Sequence, residues 1–340
     1  MTTTMTTSGL PAAERSGSLR ASVVTMTPSP AVDRVYLVDT MRSGEVNRAS
    51  RVHSFLSGKG INVAKNLRNA GGTAVAVTML ADGDRHLVGD DDLFRVVPAP
   101  TPARVNTVVV SCDGATTNVN ERPRPLSEES WAVLCAATAA AIRERSADWL
   151  VVAGSIPSAM GRPGALRPAQ LARDAADNGT RLCLDSGGAV LREWLSQGFV
   201  PDLVKPNLAE LGAAVGRELH TMADAVAASR SLIDRGTGAV LASLGGDGAL
   251  LVTPAHELWA RPPRVDVVNT TGAGDAALAG FVADLVGGGS DDRLEASLRR
   301  AVAWGSHAVR EIEAVPRSHP DLLGIDVDEP PLALRLDIRS

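Results

Sequence analysis

One stretch governs how this sequence is interpreted: Asn269-Thr270-Thr271-Gly272-Ala273-Gly274-Asp275. The β-branched run 265–268 precedes it, and apolar residues follow it at helical spacing, so the pattern predicts a strand, a glycine turn and the start of a helix. The unpaired N–H groups and the dipole at a helix N-terminus attract phosphate, and glycine lets an anion approach the backbone closely. The stretch therefore predicts an anion site.

Asp275 is the unexpected residue of this stretch, because a carboxylate beside a phosphate site repels the ligand. Its presence is explained if it accepts a proton from the group that attacks the phosphate. The alternative is a helix cap, since Asp is among the preferred N-terminal capping residues. The stretch alone leaves both interpretations open.

Composition limits the possible partners. The chain has 340 residues, of which 44% are hydrophobic and 21% charged, as in soluble globular proteins. A net charge of −5 and an aromatic content of 3% argue against nucleic acid and membrane surfaces as partners. No apolar run reaches the roughly 18 residues of a membrane span. Three cysteines without metal-binding spacing favour a reduced, cytoplasmic protein.

The element pattern predicts an α/β domain between two tails. Residues 1–20 are expected to be a disordered tail, residues 21–317 a single domain, and residues 318–340 a loosely packed C-terminal tail. Helix and strand patterns alternate from residue 127 onward, which predicts a doubly wound, mostly parallel sheet with helices on both faces. Polar-alternating strands within 33–56, at 35–38 and 47–55, and strands within 103–121 that flank a hairpin signal at Asp113-Gly114 predict a second, small sheet.

Glycine and polar residues collect directly after the predicted strands of the large sheet. They occur at 154–155, 185–188, 205–207 and 244–248 as well as in the turn at Gly272. Ligands of parallel α/β sheets bind at the carboxyl ends of the strands, so these residues are expected to share one edge. No Gly-x-Gly-x-x-Gly follows the first strand, which disfavours a nicotinamide enzyme. Gly58-Lys59-Gly60 is not a Walker loop, because His53 stands where its first glycine is required.

Six segments together resemble the PfkB branch of the ribokinase superfamily, and within it the phosphosugar kinases. In chain order they are Thr27 to Asp33, Ser57 to Asn62, Ala103 to Asn106, Lys205 to Glu210, Ser243 to Gly245, and Thr271 to Asp275. Each segment is weak evidence alone, but the order of all six matches the family. The resemblance implies a doubly wound α/β core with a small β-sheet lid, and transfer of the γ-phosphoryl group of ATP, with Mg²⁺, to a sugar hydroxyl.

The resemblance also implies roles for residues on the nucleotide side. Asp275 would be the catalytic base, with Gly272, Ala273 and Gly274 as the anion hole. The nucleotide would contact Lys205, Asn207, Ser243, Gly245, Gly248 and Thr271. Asn207 and Glu210 would hold Mg²⁺ through water, which suits an ion that keeps several waters. The alternatives are a capping interaction for Asn207 with Glu210 and a solvated strand end for Lys205.

The resemblance also implies which residues bind the sugar hydroxyl groups and the phosphate group of the substrate. The expected residues are Asp33, Gly58, Lys59, Asn62, Arg104 and Asn106. Arg104 is the candidate for the substrate phosphate, because a guanidinium group matches phosphate oxygens. The alternative for Asp33, Gly58, Lys59 and Asn62 is that they are ordinary turn residues. The alternative for Arg104 is an arginine on the protein surface.

Departures from the family pattern leave the substrate open. The segment 81–99 is shorter than usual by roughly ten residues, and Asn118 stands where Glu is common. Asn269 replaces an Asp that is frequent near a monovalent-cation site, so K⁺ activation is also open. Fructose 1-phosphate and fructose 6-phosphate are the favoured acceptors, a free sugar or nucleoside is the alternative, and a non-catalytic binding protein is the second alternative. We expect a homodimer formed through the lid.

Overall fold

The computed structural model describes residues 19–161, 164–286, 291–319 and 324–336. The predicted tail over residues 1–20 lies almost entirely outside these ranges. Leu19 packs against the hydrophobic core, and the backbone N–H of Arg20 donates to Asp284 Oδ1 at 3.2 Å. Residues 19 and 20 therefore belong with the packed domain.

Ten strands of the described chain form one large sheet. Numbered along the chain, the strands are β1 Ser22–Thr27, β2 Ala31–Val38, β3 Arg51–Ser57, β4 Thr73–Leu80, β5 Phe94–Pro98, β6 Arg104–Ser111, β7 Thr116–Asn120, β8 Trp149–Ala153, β9 Arg181–Asp185, β10 Leu203–Val204, β11 Val240–Ser243, β12 Ala249–Val252, β13 Glu257–Ala260 and β14 Val327–Asp328. The large sheet has the order β14-β13-β12-β11-β10-β9-β8-β1-β4-β5. Strands from β11 to β5 in this order run parallel, whereas β12, β13 and β14 extend the sheet antiparallel.

Helices cover both faces of the large sheet. They are α1 Lys59–Asn69, α2 Glu128–Arg145, α3 Ala169–Asp177, α4 Gly188–Ser196, α5 Leu208–Val215, α6 Met222–Ile233, α7 Ala273–Val282 and α8 Asp291–Ala308. Neighbouring residues of β1 face different cores: Val24 packs with the cluster of α2 to α6, and Val23 with the cluster of α1, α7 and α8. Strands buried on both faces require continuous apolar runs, as in β8. The predicted doubly wound sheet is confirmed.

The remaining four strands form the small sheet, in the order β3-β2-β6-β7. Strands β2 and β6 are parallel, and the other two pairs are antiparallel. The predicted hairpin at Asp113-Gly114 joins β6 to β7, where Gly114 has the positive φ of 83° that favours glycine. The small sheet, called the lid below, confirms the predicted second sheet.

Two local strand predictions are wrong. The run 265–268 before the glycine turn is irregular and pairs with no strand of the described chain. There the N–H groups of Val268 and Asn269 both donate to the carbonyl of Val309. The strand expected at 47–55 begins only at Arg51, because Asn47 closes a turn by donating from Nδ2 to the Arg42 carbonyl at 2.8 Å.

Two segments are more ordered than their sequence indicates. Segment 81–99 has no clear pattern, yet it contains a 3₁₀ helix at Asp82–Leu87 and strand β5, which pairs in parallel with β4. The segment 324–336 was expected to pack loosely, but β14 lengthens the large sheet and Leu336 is buried in the core. Apolar burial therefore fixes residues whose local pattern is weak.

No helix in the described part of the chain is both long and apolar enough to cross a membrane.

Candidate active site

A cleft of about 1510 Å³ lies between the lid and the carboxyl edge of the large sheet. Every site residue predicted from the sequence lines it. They are Asp33, Gly58, Lys59, Asn62, Arg104, Asn106, Lys205, Asn207, Glu210, Ser243, Gly245, Gly248, Thr271, Gly272, Ala273, Gly274 and Asp275. The parallel topology explains the convergence, because the carboxyl ends of β1, β8, β9, β10 and β11 meet at one edge.

The glycine turn at the start of α7 has the geometry of an anion site. Gly272 caps the helix with a φ of 84°, a conformation that favours glycine. A Cβ on Gly272 would lie 2.1 Å from the Ala314 carbonyl oxygen, so no other residue fits without backbone movement. Asn269 holds the approach to the turn: its Oδ1 accepts from the Thr271 N–H at 3.0 Å, and its Nδ2 donates to the Ile312 carbonyl at 2.9 Å.

Asp275 lies in the first turn of α7 and is 6% exposed. It is not the helix cap, because Gly272 occupies that position and no side chain caps the helix. Its Oδ2 accepts a hydrogen bond from Asn62 Nδ2 at 2.8 Å. Burial, together with the charge of Asp185, raises the pKa of Asp275 to about 7. The carboxyl group is therefore poised to exchange a proton near neutral pH.

Two lysines and a buried carboxylate form a charged network beside Asp275. Asp185, at the carboxyl end of β9, is fully buried and lies 2.7 Å from Lys59 Nζ and 3.2 Å from Lys205 Nζ. The two lysines outweigh the effect of burial and hold the pKa of Asp185 below its usual range. Burial favours the neutral amine, but the neighbouring carboxylates, above all Asp185, raise the pKa of Lys59 well above its ordinary value.

Lys205 and Lys59 have different surroundings in the cleft. Lys205 is 3% exposed, which excludes the alternative of a solvated strand end. A Cβ on Gly274 would lie 3.1 Å from Lys205 Nζ, so this ammonium group borders the anion site. Lys59 was expected on the sugar side, and its Nζ also lies 3.3 Å from Oε1 of Glu210, which was expected near Mg²⁺.

Asn207 and Glu210 form a complete capping box at the start of α5. Asn207 Oδ1 accepts from the Glu210 N–H at 2.8 Å, and Glu210 Oε2 accepts from the Asn207 N–H at 2.9 Å. The capping interaction that the sequence left as an alternative is therefore present. Among the residues that the structure describes, no group of three His, Cys, Asp or Glu side chains could hold a metal ion.

The lid supplies the polar groups at the other end of the cleft. Register places Asp33 of β2 beside Asn106 of β6, and Asn106 Nδ2 donates to Asp33 Oδ1 at 2.8 Å. Arg104 Nη1 donates to Asn106 Oδ1 at 3.0 Å. Asn62, which was also expected on the sugar side, lines the same cleft and donates to Asp275. The residues expected on the sugar side thus come from two places: the lid carries Asp33, Arg104 and Asn106, and the start of α1 carries Gly58, Lys59 and Asn62.

The nucleotide end is built from small residues. The strand β11 ends at Ser243, and Gly248 has a φ of 89° in the turn that follows. A Cβ on Gly248 would lie 2.0 Å from the Ala260 carbonyl oxygen, so this close strand contact requires glycine. Residues of α8 complete the wall, but Trp304 does not: it is 4% exposed and stacks on His319 at 3.9 Å in the core.

Sequence reasoning missed Asp185 as a functional residue. Its position directly after a buried strand was a signal, and the run 185–188 was recognised as polar. Its importance comes from its two lysine partners, which lie on α1 and after β10. Nothing in the local sequence pairs these three residues.

The fold and the site together define a class of protein. A buried carboxylate with a raised pKa, an anion site at a helix N-terminus and a lid over the cleft are the parts of a phosphotransferase with a hydroxyl acceptor. Residues 26–320 match the pfkB family carbohydrate kinases, and the chain belongs to that family.

Individual relatives agree with this assignment. A 1-phosphofructokinase from Haloferax volcanii is 37% identical over 295 residues, which cover 84% of this chain and 90% of that protein. The 1-phosphofructokinase of Escherichia coli K12 is 33% identical over 314 residues, covering 88% of this chain and 95% of the relative. The crystal structure of phosphofructokinase-2 from Escherichia coli in complex with substrates and products has a TM-score of 0.72 and 28% identity, covering 85% of this chain and 93% of the other.

These similarities confirm the expected family, fold and enzyme class. The chain is a carbohydrate kinase that uses ATP as the phosphate donor. The alternative of a non-catalytic binding protein is thereby set aside.

Proposed function

We propose that this kinase transfers the γ-phosphoryl group of ATP to a hydroxyl group of fructose 1-phosphate. The observation that carries the reaction is the position of Asp275, which is buried beside the glycine turn and has a pKa raised to about 7. The acceptor is chosen because the relatives from Haloferax volcanii and Escherichia coli are 1-phosphofructokinases. Fructose 6-phosphate is the second candidate, since phosphofructokinase-2 has a similar structure.

In this proposal Asp275 is the general base. Its ionised carboxylate accepts the proton of the acceptor hydroxyl group while the oxygen forms a bond to the γ-phosphorus and the bond to ADP breaks. Asn62 orients the carboxylate through its hydrogen bond. A positioned base of this kind contributes roughly a hundredfold to ten-thousandfold in rate.

The N–H groups of the glycine turn would stabilise the charge that develops on the transferring group. Gly272, Ala273 and Gly274 present the N-terminus of α7, and Lys205 Nζ borders them. One preorganised donor in such a site is worth about 3 kcal/mol. Thr271, Ser243, Gly245 and Gly248 would contact the nucleotide in the same part of the cleft.

Magnesium would be held through water by Asn207 and Glu210. The capping box leaves Glu210 at the cleft with both carboxylate oxygens already hydrogen-bonded, which suits an outer contact rather than direct ligation. When bound, the ion would neutralise the charge on the β- and γ-phosphates. The local role of Glu210 is to accept hydrogen bonds from Lys59 and from the start of α5.

On the acceptor side, Asp33 and Asn106 would bind sugar hydroxyl groups, and Gly58 and Lys59 would lie beside the sugar. Burial lowers the pKa of Arg104, and its guanidinium group would contribute to binding of the substrate phosphate. A free sugar has no phosphate group, so it would not require a positively charged side chain at the lid.

An ADP-release assay tests the proposal. The acceptors are fructose 1-phosphate, fructose 6-phosphate, fructose and adenosine, each with ATP and Mg²⁺. Asp275→Asn is expected to lower turnover at least about a hundredfold. Asp266→Asn is the matched control, because Asp266 lines the same cleft but lies outside the glycine turn. Turnover of fructose alone, or equal activity of both variants, would contradict the proposal.

We also propose a homodimer that forms through the lid, in the cytoplasm where ATP is available. Support comes from exposed apolar residues on the two edge strands of the lid: Val52 on β3 is 53% exposed and Val119 on β7 is 65% exposed. Edge strands with unpaired backbone groups and exposed apolar side chains favour pairing with a second chain. Light scattering at micromolar concentration is expected to give twice the chain mass, and a monomer would contradict the assembly.

A further inference from the structure

The lid end of the cleft carries two arginines, Arg104 and Arg122. Within the described residues neither side chain forms an ion pair with a carboxylate. Lys59, the other cation near this end, is held by Asp185 and Glu210. The arginines are therefore the positive charges that remain available to a ligand there.

Strand register sets these two arginines opposite each other. Strands β6 and β7 are antiparallel, with Asn106 opposite Asn120. The ladder continues, because the Glu121 N–H donates to the Val105 carbonyl at 3.2 Å. Continuing the register by one more residue on each strand places Arg122 opposite Arg104, on the face that lines the cleft.

Arg104 is fixed in place by the lid. Its Nη1 donates to Asn106 Oδ1 at 3.0 Å and to the Glu121 carbonyl at 2.9 Å. Its Nε is buried and has no hydrogen-bond partner among the described residues. A buried donor of this kind is usually satisfied by a ligand or by water. The fixed guanidinium group thus supports the lid and keeps one donor without a partner in the described part of the chain.

Arg122 is exposed, and its side chain has no hydrogen-bond or ion-pair partner in the described chain. The adjacent acid does not neutralise it, because Glu121 Oε2 accepts from the Val105 N–H at 3.0 Å. Arg122 lies beyond the last residue of β7, so no strand pairing holds its side chain in place. Guanidinium groups from both strands would offer several donors to the oxygens of one phosphate group.

We propose that Arg122 is a specificity-determining residue, which forms a two-arginine clamp with Arg104 for the phosphate group of the acceptor sugar. The proposal rests on the proposed function, because it concerns the acceptor of that reaction. Arg104 provides the fixed half of the clamp. Arg122 provides the adjustable half, since its side chain has no other partner to hold it.

Equilibrium binding separates the clamp from the reaction. Calorimetric titration with fructose 1-phosphate, without nucleotide, compares the wild type with Arg122→Gln. The variant is expected to bind roughly ten- to a hundredfold more weakly, as for loss of one charge-assisted hydrogen bond. Arg124→Gln is the matched control, because Arg124 is exposed, lies two residues further on and contacts only the Pro102 carbonyl at 3.4 Å. Its binding is expected to change by less than about threefold.

Steady-state kinetics supply the second readout. Arg122→Gln is expected to raise KM for fructose 1-phosphate while leaving kcat, and KM for fructose, nearly unchanged. A structural role would instead change the kinetics of both acceptors. Unchanged affinity of Arg122→Gln, or an equal effect of Arg124→Gln, would overturn the clamp even if the wild type phosphorylates the sugar phosphate.

The two proposals fail in different ways. If the wild type binds fructose 1-phosphate in an Arg122-dependent manner but does not phosphorylate it, the clamp stands and the proposed reaction is wrong. If the wild type does not bind fructose 1-phosphate or fructose 6-phosphate, the clamp is wrong, and turnover of fructose would then identify the true acceptor.

Discussion

Asp275→Asn is expected to stabilise the folded chain at neutral and alkaline pH while removing activity. Burial and the charge of Asp185 raise the pKa of Asp275 from 3.8 to about 7. Each pKa unit corresponds to about 1.36 kcal/mol, so the ionised carboxylate lowers the free energy of unfolding by up to about 4 kcal/mol. Asparagine has nearly the same shape, and its Oδ1 can still accept the hydrogen bond from Asn62. The variant therefore removes the charge and little else.

The sign of the pH dependence follows from the direction of the shift. Between pH 3.8 and about pH 7 the folded chain keeps a proton on Asp275 that the unfolded chain releases. The stability contributed by that proton is complete below this window and is lost as pH rises through it. The free energy of unfolding of the wild type therefore falls across the window relative to the variant, and the difference stays constant above it.

Urea unfolding of both proteins, from about pH 4 to about pH 9, measures this difference. It should grow by up to about 4 kcal/mol with rising pH and then level off. Asp177→Asn is the control, because this exposed carboxylate at the end of α3 does not line the cleft. A difference that is independent of pH would refute the reasoning, because the buried carboxylate would then carry no energetic penalty.

Three further outcomes are expected. The kcat of the wild type should rise with pH through about 7 as Asp275 loses its proton. The substitution Asp185→Asn should move this rise to lower pH, because the charge of Asp185 raises the pKa of Asp275. An unchanged pH–rate profile would contradict this electrostatic effect of Asp185. Asn62→Ala should lower kcat about tenfold or more with a smaller change in KM, whereas equal changes would indicate a sugar contact. Gly272→Ala should lose activity, because the new Cβ would lie 2.1 Å from the Ala314 carbonyl oxygen. Gly274→Ala should retain more activity, because its Cβ would meet only the end of the Lys205 side chain, at 3.1 Å.

Much of the cleft could be predicted from the sequence because parallel topology converts sequence position into spatial position. Residues that follow strands β9, β10 and β11 must meet at one edge, wherever they stand in the chain. The glycine turn could be recognised for a similar reason, since the required φ and the close approach leave few residue types. Backbone geometry was therefore the predictable part of the site.

Pairings between distant side chains could not be predicted in this way. Lys59 and Asp185 are separated by 126 residues, and Asn62 and Asp275 by 213. Asn62 was expected to contact the sugar, and the folded chain also brings its Nδ2 to 2.8 Å from Asp275 Oδ2, a contact that the sequence did not indicate. Only the packing of α1 against α7 determines which partner the amide meets.

Local sequence patterns did not decide the secondary structure of two segments. Strand β5 has only five residues and follows an acidic loop, so its pairing with β4 depends on the open edge of the sheet rather than on its own pattern. The run 265–268 has the opposite character: its β-branched residues favour a strand, but the N–H groups of Val268 and Asn269 donate to the Val309 carbonyl instead of to a strand. Partners distant in sequence decided both outcomes.

The charged network couples the positions of the two lysines to the pKa of Asp275. Lys59 lies in the first turn of α1, and its contacts with Asp185 and Glu210 tie that turn to β9 and to the start of α5. The buried charge of Asp185 anchors both lysines, and the same charge raises the pKa of Asp275. Replacing Asp185 by a neutral residue would therefore lower the pKa of Asp275, while Lys205 would lose its ion pair with Asp185 and Lys59 would keep only its contact with Glu210.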